Sequence, residues 1–217
     1  MGQNPEIAGP LELKDAELLR RAAEGDESAF AEFYNRHNGP IYRFALHMTG
    51  SPDSAADVTQ ETFMLLVREP GVFDPRRGEA LPFLYGVARN FVRQMLSRDS
   101  RFVALPQAMP VVAPTNGQCS HLAYDDASSA LDAWESLSQQ ESIWRLRQAI
   151  LSLPTHYREV VTLCDLEGKT YSDAAGILDC PVGTVRSRLN RARDLLLEKL
   201  RPATEPRDSL RATGTGS

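Results

Sequence analysis

The densest positive charge in the sequence lies in one short segment near its C-terminal end. Residues 183–193, GTVRSRLNRAR, contain four arginines, although the chain of 217 residues has a formal net charge of -5. An arginine side chain can donate two parallel hydrogen bonds to a guanine edge or pair with a phosphate. Because the chain is acidic overall, any contact with nucleic acid must come from such local patches.

A helical wheel separates these arginines from the apolar residues of the same segment. A buried stripe is predicted at i, i+4, i+7, i+11 and i+15, formed by Val185, Leu189, Ala192, Leu196 and Leu200. The outward face is predicted to contact DNA through Thr184, Arg186, Ser187, Arg188, Asn190 and Arg191. Arg186 and Arg188 can reach guanine edges, and each such contact gives about 1–3 kcal/mol of discrimination. The hydroxyl groups and Arg191 are predicted to hold phosphates.

The elements before this helix favour a helix-turn-helix over an ordinary solvated basic helix, the alternative. A short helical segment, TYSDAAGILD, and a tight connection precede the longer basic helix. Ala174, Ala175 and Ile177 lie where two helices must approach closely. Entry of the N-terminal turns into a major groove would then place the arginines on the DNA.

The rest of the chain predicts an all-α protein of two small helical domains. Residues 13–101 read as successive helices, with Asp26 and Ser51 at cap positions, and residues 141–201 form the second helical domain. Residues 102–140 contain three prolines and four acidic residues but no Lys or Arg, which predicts a flexible acidic linker, extended at first and helical near SSALDAWESL. Residues 202–217 are predicted to be a disordered tail.

The remaining reactive side chains do not form a catalytic or metal-binding pattern. They are scattered along the chain as Cys119, Cys164, Cys180, His37, His47, His121 and His156. No CxxC pair, nucleophile elbow or phosphate loop is present, so we expect no metal, no cofactor and no enzymatic activity. The N-terminal sequence lacks the pattern of a secretion signal, and no apolar run approaches the roughly 20 residues that span a bilayer. These features predict a cytoplasmic protein without direct membrane insertion.

The C-terminal domain closely resembles the promoter-binding domain of extracytoplasmic-function (ECF) sigma factors. Asp173-Ala174-Ala175 stands where Glu-Ile-Ala is usual in that family. The N-terminal segments GDESAFAEFYNRH, DVTQETFMLLV and FDPRRGEALPFLYGVARNFVRQMLSR resemble, in order, the family's core-binding and DNA-melting domain. The C-terminal residues that carry the resemblance are Leu153-Pro154, Arg158, Gly183-Thr184-Val185, Ser187-Arg188 and Arg191-Ala192-Arg193.

The resemblance implies a polymerase-binding surface on the segment DVTQETFMLLVRE. Ala55, Val58, Thr62, Leu65 and Leu66 are predicted to face inward. A second stripe, which could equally be a solvated face, would dock on the clamp-helix coiled coil of core RNA polymerase. It consists of Asp57, Gln60, Glu61, Met64 and Arg68.

The resemblance also implies contact with the downstream promoter element during strand separation. The surface for this contact is the basic face of the helix VARNFVRQMLSR, with Arg89, Asn90, Arg93 and Ser97. An ordinary solvated basic face is the alternative. Capture of an unpaired base requires stacking and edge contacts that offset the cost of extrusion. Phe73, Arg76 and Phe83 are the candidates for that pocket. Phe83 stands where the family often has Trp, and it could equally be a core residue.

Three partners follow from the resemblance: core RNA polymerase, promoter DNA and an anti-sigma factor. The acidic linker would thread the RNA exit path of the polymerase, although acidity for solubility alone explains it equally well. The main rival is a self-sufficient helix-turn-helix regulator that binds operators as a dimer. That rival predicts tight and specific duplex binding without polymerase.

Overall fold

The computed structural model describes the backbone of residues 14–102 and 129–201, and side chains within 14–98 and 140–201. All regular structure in these two ranges is helical, which confirms the prediction of an all-α protein. Most of the predicted linker, with Cys119, and the predicted tail lie outside the described residues.

The first domain contains four helices and a short 3₁₀ turn. Asp26 and Ser51 cap two of these helices as predicted, because their side chains accept hydrogen bonds from the backbone of Ala29 at 3.1 Å and Ser54 at 3.2 Å. The elements are α1 (Asp15–Ala23), α2 (Glu27–Thr49), α3 (Pro52–Arg68), the turn Pro75–Arg77 and α4 (Ala80–Phe102).

The second domain contains four helices and a π-helical turn. Its first helix begins at Ser129, inside the segment predicted as linker, at the place where the sequence favoured helical structure. Gly168, with φ of 64°, follows the π-helical turn in the left-handed region that glycine adopts readily. The elements are α5 (Ser129–Leu151), α6 (Thr155–Val161), the turn Thr162–Leu166, α7 (Tyr171–Leu178) and α8 (Val182–Leu200).

Burial confirms most of the predicted inward positions and corrects some of them. In α3, Thr59 and Phe63 are buried together with Ala55, Val58 and Thr62, whereas Leu65 and Leu66 are only half-buried. The buried face therefore lies nearer Phe63 than predicted, because the Phe63 ring packs against Phe33 and Tyr34 of α2. In α8 the buried stripe ends at Leu196, and Leu200 in the last turn is 39% exposed.

The two domains pack against each other through α2 and α4 of the first and α5 to α7 of the second. The Arg158 side chain donates a hydrogen bond of 2.5 Å to the Met48 carbonyl of α2. It also donates to the carbonyl groups of Leu151 and Leu153. One arginine therefore ties the C-terminal end of α2 to the loop between α5 and α6.

Candidate nucleic-acid interface

The exposed face of α8 is the one that the helical wheel predicted to face outward. Val185, Leu189 and Ala192 are fully buried, so the opposite side of the helix faces away from the core. On that side Arg186, Ser187, Asn190 and Arg191 are exposed, and Thr184 and Arg188 are half-buried.

The arginines of this face differ in their partners. Arg193 pairs with Asp165 at 2.5 Å, and that contact raises the pKa of its guanidinium. Within the described part of the chain, Arg186, Arg188 and Arg191 form no ion pair with an acidic residue. The Arg186 guanidinium lies 6.0 Å from the centre of the Tyr171 ring, a cation–π contact that the sequence pattern does not predict. Three cationic side chains are therefore available to a ligand.

The helix before α8 is held by a reciprocal cap. Thr170 accepts a hydrogen bond from the Asp173 backbone at 3.1 Å, and the Asp173 carboxylate accepts one from the Thr170 backbone at 3.3 Å. Ala174 and Ala175 are buried, as predicted for a close approach of α7 to α8. This cap fixes where α7 begins and so positions the scaffold under α8.

The predicted polymerase-binding stripe lies on the surface of α3. Asp57, Gln60 and Arg68 are exposed, while Glu61 and Met64 are half-buried. Arg68 pairs with Glu61 at 3.0 Å. The contact spans seven residues of the helix and joins two members of the stripe.

A surface groove of about 490 Å³ adjoins this stripe. Gln60 and Met64 line it from α3, and Phe30, Tyr34 and Tyr42 line it from α2. The pattern of the α3 segment does not predict the α2 aromatic residues, because they belong to another helix and approach the stripe only through tertiary packing.

Two of the three residues predicted to capture a base, Phe73 in the loop before α4 and Phe83 in the first turn of α4, lie close together. The Phe73 and Phe83 rings have centroids 5.5 Å apart and are tilted by 53°. Both side chains are half-buried. Arg76 is exposed and donates to the Asp74 carboxylate at 3.0 Å, which lowers the pKa of Asp74. The two aromatic rings therefore lie beside each other against the core, whereas the Arg76 guanidinium is paired with Asp74 at the surface.

The basic face of α4 is only partly open, and the prediction needs correction at Arg89. Asn90, Arg93 and Ser97 are exposed. The Arg89 side chain is only 12% exposed, because its Nε donates to Glu159 Oε1 of α6 at 2.9 Å. Arg93 Nε lies 3.4 Å from the same carboxylate oxygen. In this arrangement Glu159 of the second domain covers the Arg89 side chain.

A second carboxylate of the C-terminal domain also contacts the first domain. Glu167 accepts hydrogen bonds from Arg43 at 3.2 Å and from the Tyr85 hydroxyl at 3.1 Å. Burial, followed by the charge and hydrogen bond of Glu167, raises the pKa of Tyr85. Lys169 lies 5.0 Å from the centre of the Tyr85 ring. Neither Glu159 nor Glu167 is predictable from local sequence patterns, because their partners lie 70 or more residues away.

The other reactive side chains give no sign of a catalytic centre. Burial raises the pKa of the half-buried Cys164 thiol, with a further contribution from Asp165. Among the described residues, no three His, Cys, Asp or Glu side chains are grouped so that they could hold a metal ion. None of the helices described is both long and apolar enough to cross a membrane.

Comparison with known families gives the class of this protein. Residues 33–102 match the family described as Sigma-70 region 2, and residues 143–196 match Sigma-70, region 4. The chain is 32% identical over 198 residues to the ECF RNA polymerase sigma-E factor of Haemophilus influenzae, covering 88% of this chain and 97% of that one. It is 30% identical over 200 residues to the ECF RNA polymerase sigma-E factor of Escherichia coli K12, and the match covers 88% of this chain and 96% of that one.

A third relative is longer. The ECF sigma factor SigE of Mycolicibacterium smegmatis is 31% identical over 82% of this chain, and the match spans 65% of that relative.

Two solved structures share the fold at 24% identity. CnrH in complex with the cytosolic domain of CnrY has a TM-score of 0.58, with coverage of 86% of this chain and 96% of that one. The sigma factor RpoE of Bartonella quintana, in complex with NepR, has a TM-score of 0.55, with coverage of 81% of this chain and 98% of that one.

The chain belongs to the ECF family of RNA polymerase sigma factors. It is therefore a transcription initiation factor that directs promoter-specific transcription, in a family whose members are not enzymes.

Proposed function

We propose that α8 reads an upstream promoter element from the major groove of duplex DNA. The single observation that supports this role most strongly is the exposed face of α8, where Arg186, Arg188 and Arg191 have no acidic partner among the described residues. An outward cationic face on the second helix of a helix-turn-helix is the arrangement that enters a major groove. No described side chain caps the N-terminal end of α8, which leaves its first N–H groups for a phosphate.

The first domain, residues 13–101, would bind the polymerase and engage the downstream element as the strands part. The α3 stripe and the adjoining aromatic groove form one surface for the clamp-helix coiled coil of core RNA polymerase. The Phe73 and Phe83 rings, with Arg76, would hold an extruded base, and α4 would contact the strand through Arg93 and Asn90. The second domain, residues 141–201, would contact the upstream element.

The proposed partners are core RNA polymerase, promoter DNA and an anti-sigma factor. The Bartonella quintana relative was solved with a protein named as an anti-sigma factor. In this chain Ile143, Trp144 and Leu197 expose 46%, 51% and 67% of their surface. Apolar side chains on the surface of the second domain suit a protein partner.

Run-off transcription with purified core polymerase across a promoter library tests the proposal. We expect transcripts only from promoters that share an upstream and a downstream element. Arg188→Ala in α8 is expected to reduce run-off product, whereas Lys199→Ala near the C-terminal end of the same helix serves as the matched control. Transcription that is independent of the added chain, or equal loss in both variants, would contradict the proposal.

The dependence of promoter binding on core polymerase is tested in the same preparation. A self-sufficient regulator binds its duplex tightly without polymerase. A sigma factor that depends on the holoenzyme gains most of its specific affinity only when core polymerase is added. An electrophoretic mobility assay with and without core polymerase distinguishes the two.

A further inference from the structure

The Arg186 side chain of α8 lies beside an aromatic ring of the preceding helix. Its guanidinium is 6.0 Å from the centre of the Tyr171 ring, a separation at which a cation–π attraction acts. Tyr171 is the first residue of α7 and is 37% exposed, and Arg186 is exposed near the N-terminal end of α8. The two side chains therefore meet at the surface, on the side of α8 that the proposed function directs at DNA.

An aromatic ring can restrain an arginine without occupying its hydrogen-bond donors. The ring attracts the cation through its face, whereas the five N–H donors of a guanidinium lie in the guanidinium plane. Arg193, seven residues further along α8, shows the opposite case, because Asp165 accepts from its Nε at 3.1 Å and from its Nη2 at 2.5 Å. A carboxylate thus occupies the donors that a base edge would need. The Tyr171 ring leaves the donors of Arg186 available.

The cap of α7 fixes the position of the Tyr171 ring. Thr170 and Asp173 close the reciprocal cap around the first turn of α7, and Tyr171 follows Thr170 directly. Ala174 and Ala175, in the next turn, are buried and anchor the helix in the core. The ring therefore stands on a fixed support. A long side chain that is held before it binds loses less rotamer freedom on binding, so such a support favours recognition by the arginine beside it.

We propose that Tyr171 is a positioning residue that holds the Arg186 guanidinium in the orientation in which it reads one base of the upstream element. This inference rests on the proposed function of α8 and extends base recognition to a residue outside that helix. Tyr171 contacts no base in this role and acts only through Arg186. Its effect is on discrimination between bases, because an arginine that is not held in place can pair with phosphates, which carry no sequence information.

The test uses the full chain assembled with core RNA polymerase, and the variants Tyr171→Leu and Tyr171→Phe. Competition binding is measured on promoter duplexes that carry each of the four base pairs in turn at every position of the upstream element. Tyr171→Leu removes the aromatic face, and we expect discrimination at one position to fall about two- to fivefold, the range of an exposed cation–π contact. Tyr171→Phe keeps the face and is expected to keep the preference.

A double-mutant cycle with Arg186→Ala assigns the effect to this pair of residues. Arg186→Ala is expected to lose the preference at the same position, and adding Tyr171→Leu should cause no further loss there, because residues that act as a unit are not additive. Ser172→Ala, at the exposed neighbouring position of α7, is the control and should leave the preference unchanged. Discrimination is a ratio of two affinities of one preparation, so an unfolded fraction of a variant cancels from it.

The inference is overturned if Tyr171→Leu weakens binding to all sequences alike, since the tyrosine would then support the fold or contact the DNA backbone. It is also overturned if Tyr171→Phe loses as much discrimination as Tyr171→Leu, because the hydroxyl and not the ring face would be responsible. Loss of preference in Arg186→Ala but not in Tyr171→Leu refutes only the positioning role. Failure of the proposed base contact gives a different result, in which Arg186→Ala itself leaves every base preference unchanged.

Discussion

Gly50 and Leu151 lie so close together that a Cβ atom on Gly50 would be 2.6 Å from Leu151 Cδ1. The same atom would lie 3.0 Å from Cδ2 and 3.4 Å from Cγ, so the whole leucine side chain would have to move. Gly50 ends α2 with φ of 74°, and Leu151 is the last residue of α5. The absence of a side chain at one position therefore permits the two domains to pack.

Gly50→Ala tests this contact, with Gly25→Ala as the matched control. Both glycines have positive φ, at 74° and 95°, but a Cβ on Gly25 would meet nothing within 4 Å. In each variant, backbone strain should lower the free energy of unfolding by about 1–3 kcal/mol. In Gly50→Ala alone, the clash with Leu151 should lower it by about 1–3 kcal/mol more, unless the domains separate and so relieve the clash. Urea unfolding and small-angle scattering measure both effects, and equal behaviour of the two variants would contradict the packing described.

The cap of α7 gives a prediction about the stability of the second domain. Thr170→Ala removes the hydroxyl that accepts from the Asp173 backbone, and we expect a loss of about 1 kcal/mol in the free energy of unfolding. Thr170→Ser keeps the hydroxyl and is expected to stay within about 0.5 kcal/mol of the unmodified chain. Urea unfolding followed by circular dichroism checks the difference. A loss in the serine variant equal to that in the alanine variant would show that the hydroxyl does not cap α7.

His47 predicts how the stability of the packed chain depends on pH. Burial lowers its pKa, Glu167 of the second domain raises it, and Arg147 and Arg43 lower it further. The folded state therefore holds the His47 proton less tightly than the unfolded state, whose pKa is about 6.5. As pH falls below about 6.5 the unfolded state binds more protons, so the free energy of unfolding should decrease.

His47→Gln isolates this contribution from the other titrating groups. Those groups act in both chains, so the difference between the two unfolding free energies reports His47 alone. We expect the difference between the unfolding free energies of the unmodified chain and His47→Gln to change between pH 7.5 and pH 5 and to be constant above that range. Urea titrations at fixed ionic strength provide the measurement. A constant difference across the whole range would mean that burial does not disfavour the charged imidazole.

The sequence predicted those features that depend on local periodicity. The outward face of α8 follows from the spacing of Val185, Leu189 and Ala192 alone, and all three are buried as predicted. The caps at Asp26 and Ser51 follow from residue type and position in the same way. Such features involve neighbours within a few residues, which a single sequence contains.

Features that depend on distant residues were not predictable in this way. Helical periodicity predicted Arg89 on an open face. It contains no information on Glu159, which covers Arg89 and lies 70 residues further along the chain. Helical periodicity also predicted that the buried stripe of α8 continues to Leu200, which is exposed. Periodicity does not show where the packing partner of a helix ends. The aromatic groove beside Met64 joins two helices, so no single segment of sequence shows it.

Arg188 and Arg191 should have different roles in promoter binding, although both lie on the α8 face. Arg188→Ala should weaken holoenzyme binding and relax the preference at one upstream base by about 1–3 kcal/mol. Arg191→Ala should weaken binding on all sequences and reduce the slope of log affinity against log salt by about 1. Competition binding with single-base variants of the upstream element, repeated at several salt concentrations, measures both quantities. Lys199→Ala is the control for loss of charge on the same helix. If Arg191→Ala altered base preference while Arg188→Ala changed only the salt slope, the assignment of α8 residues to bases and phosphates would be reversed.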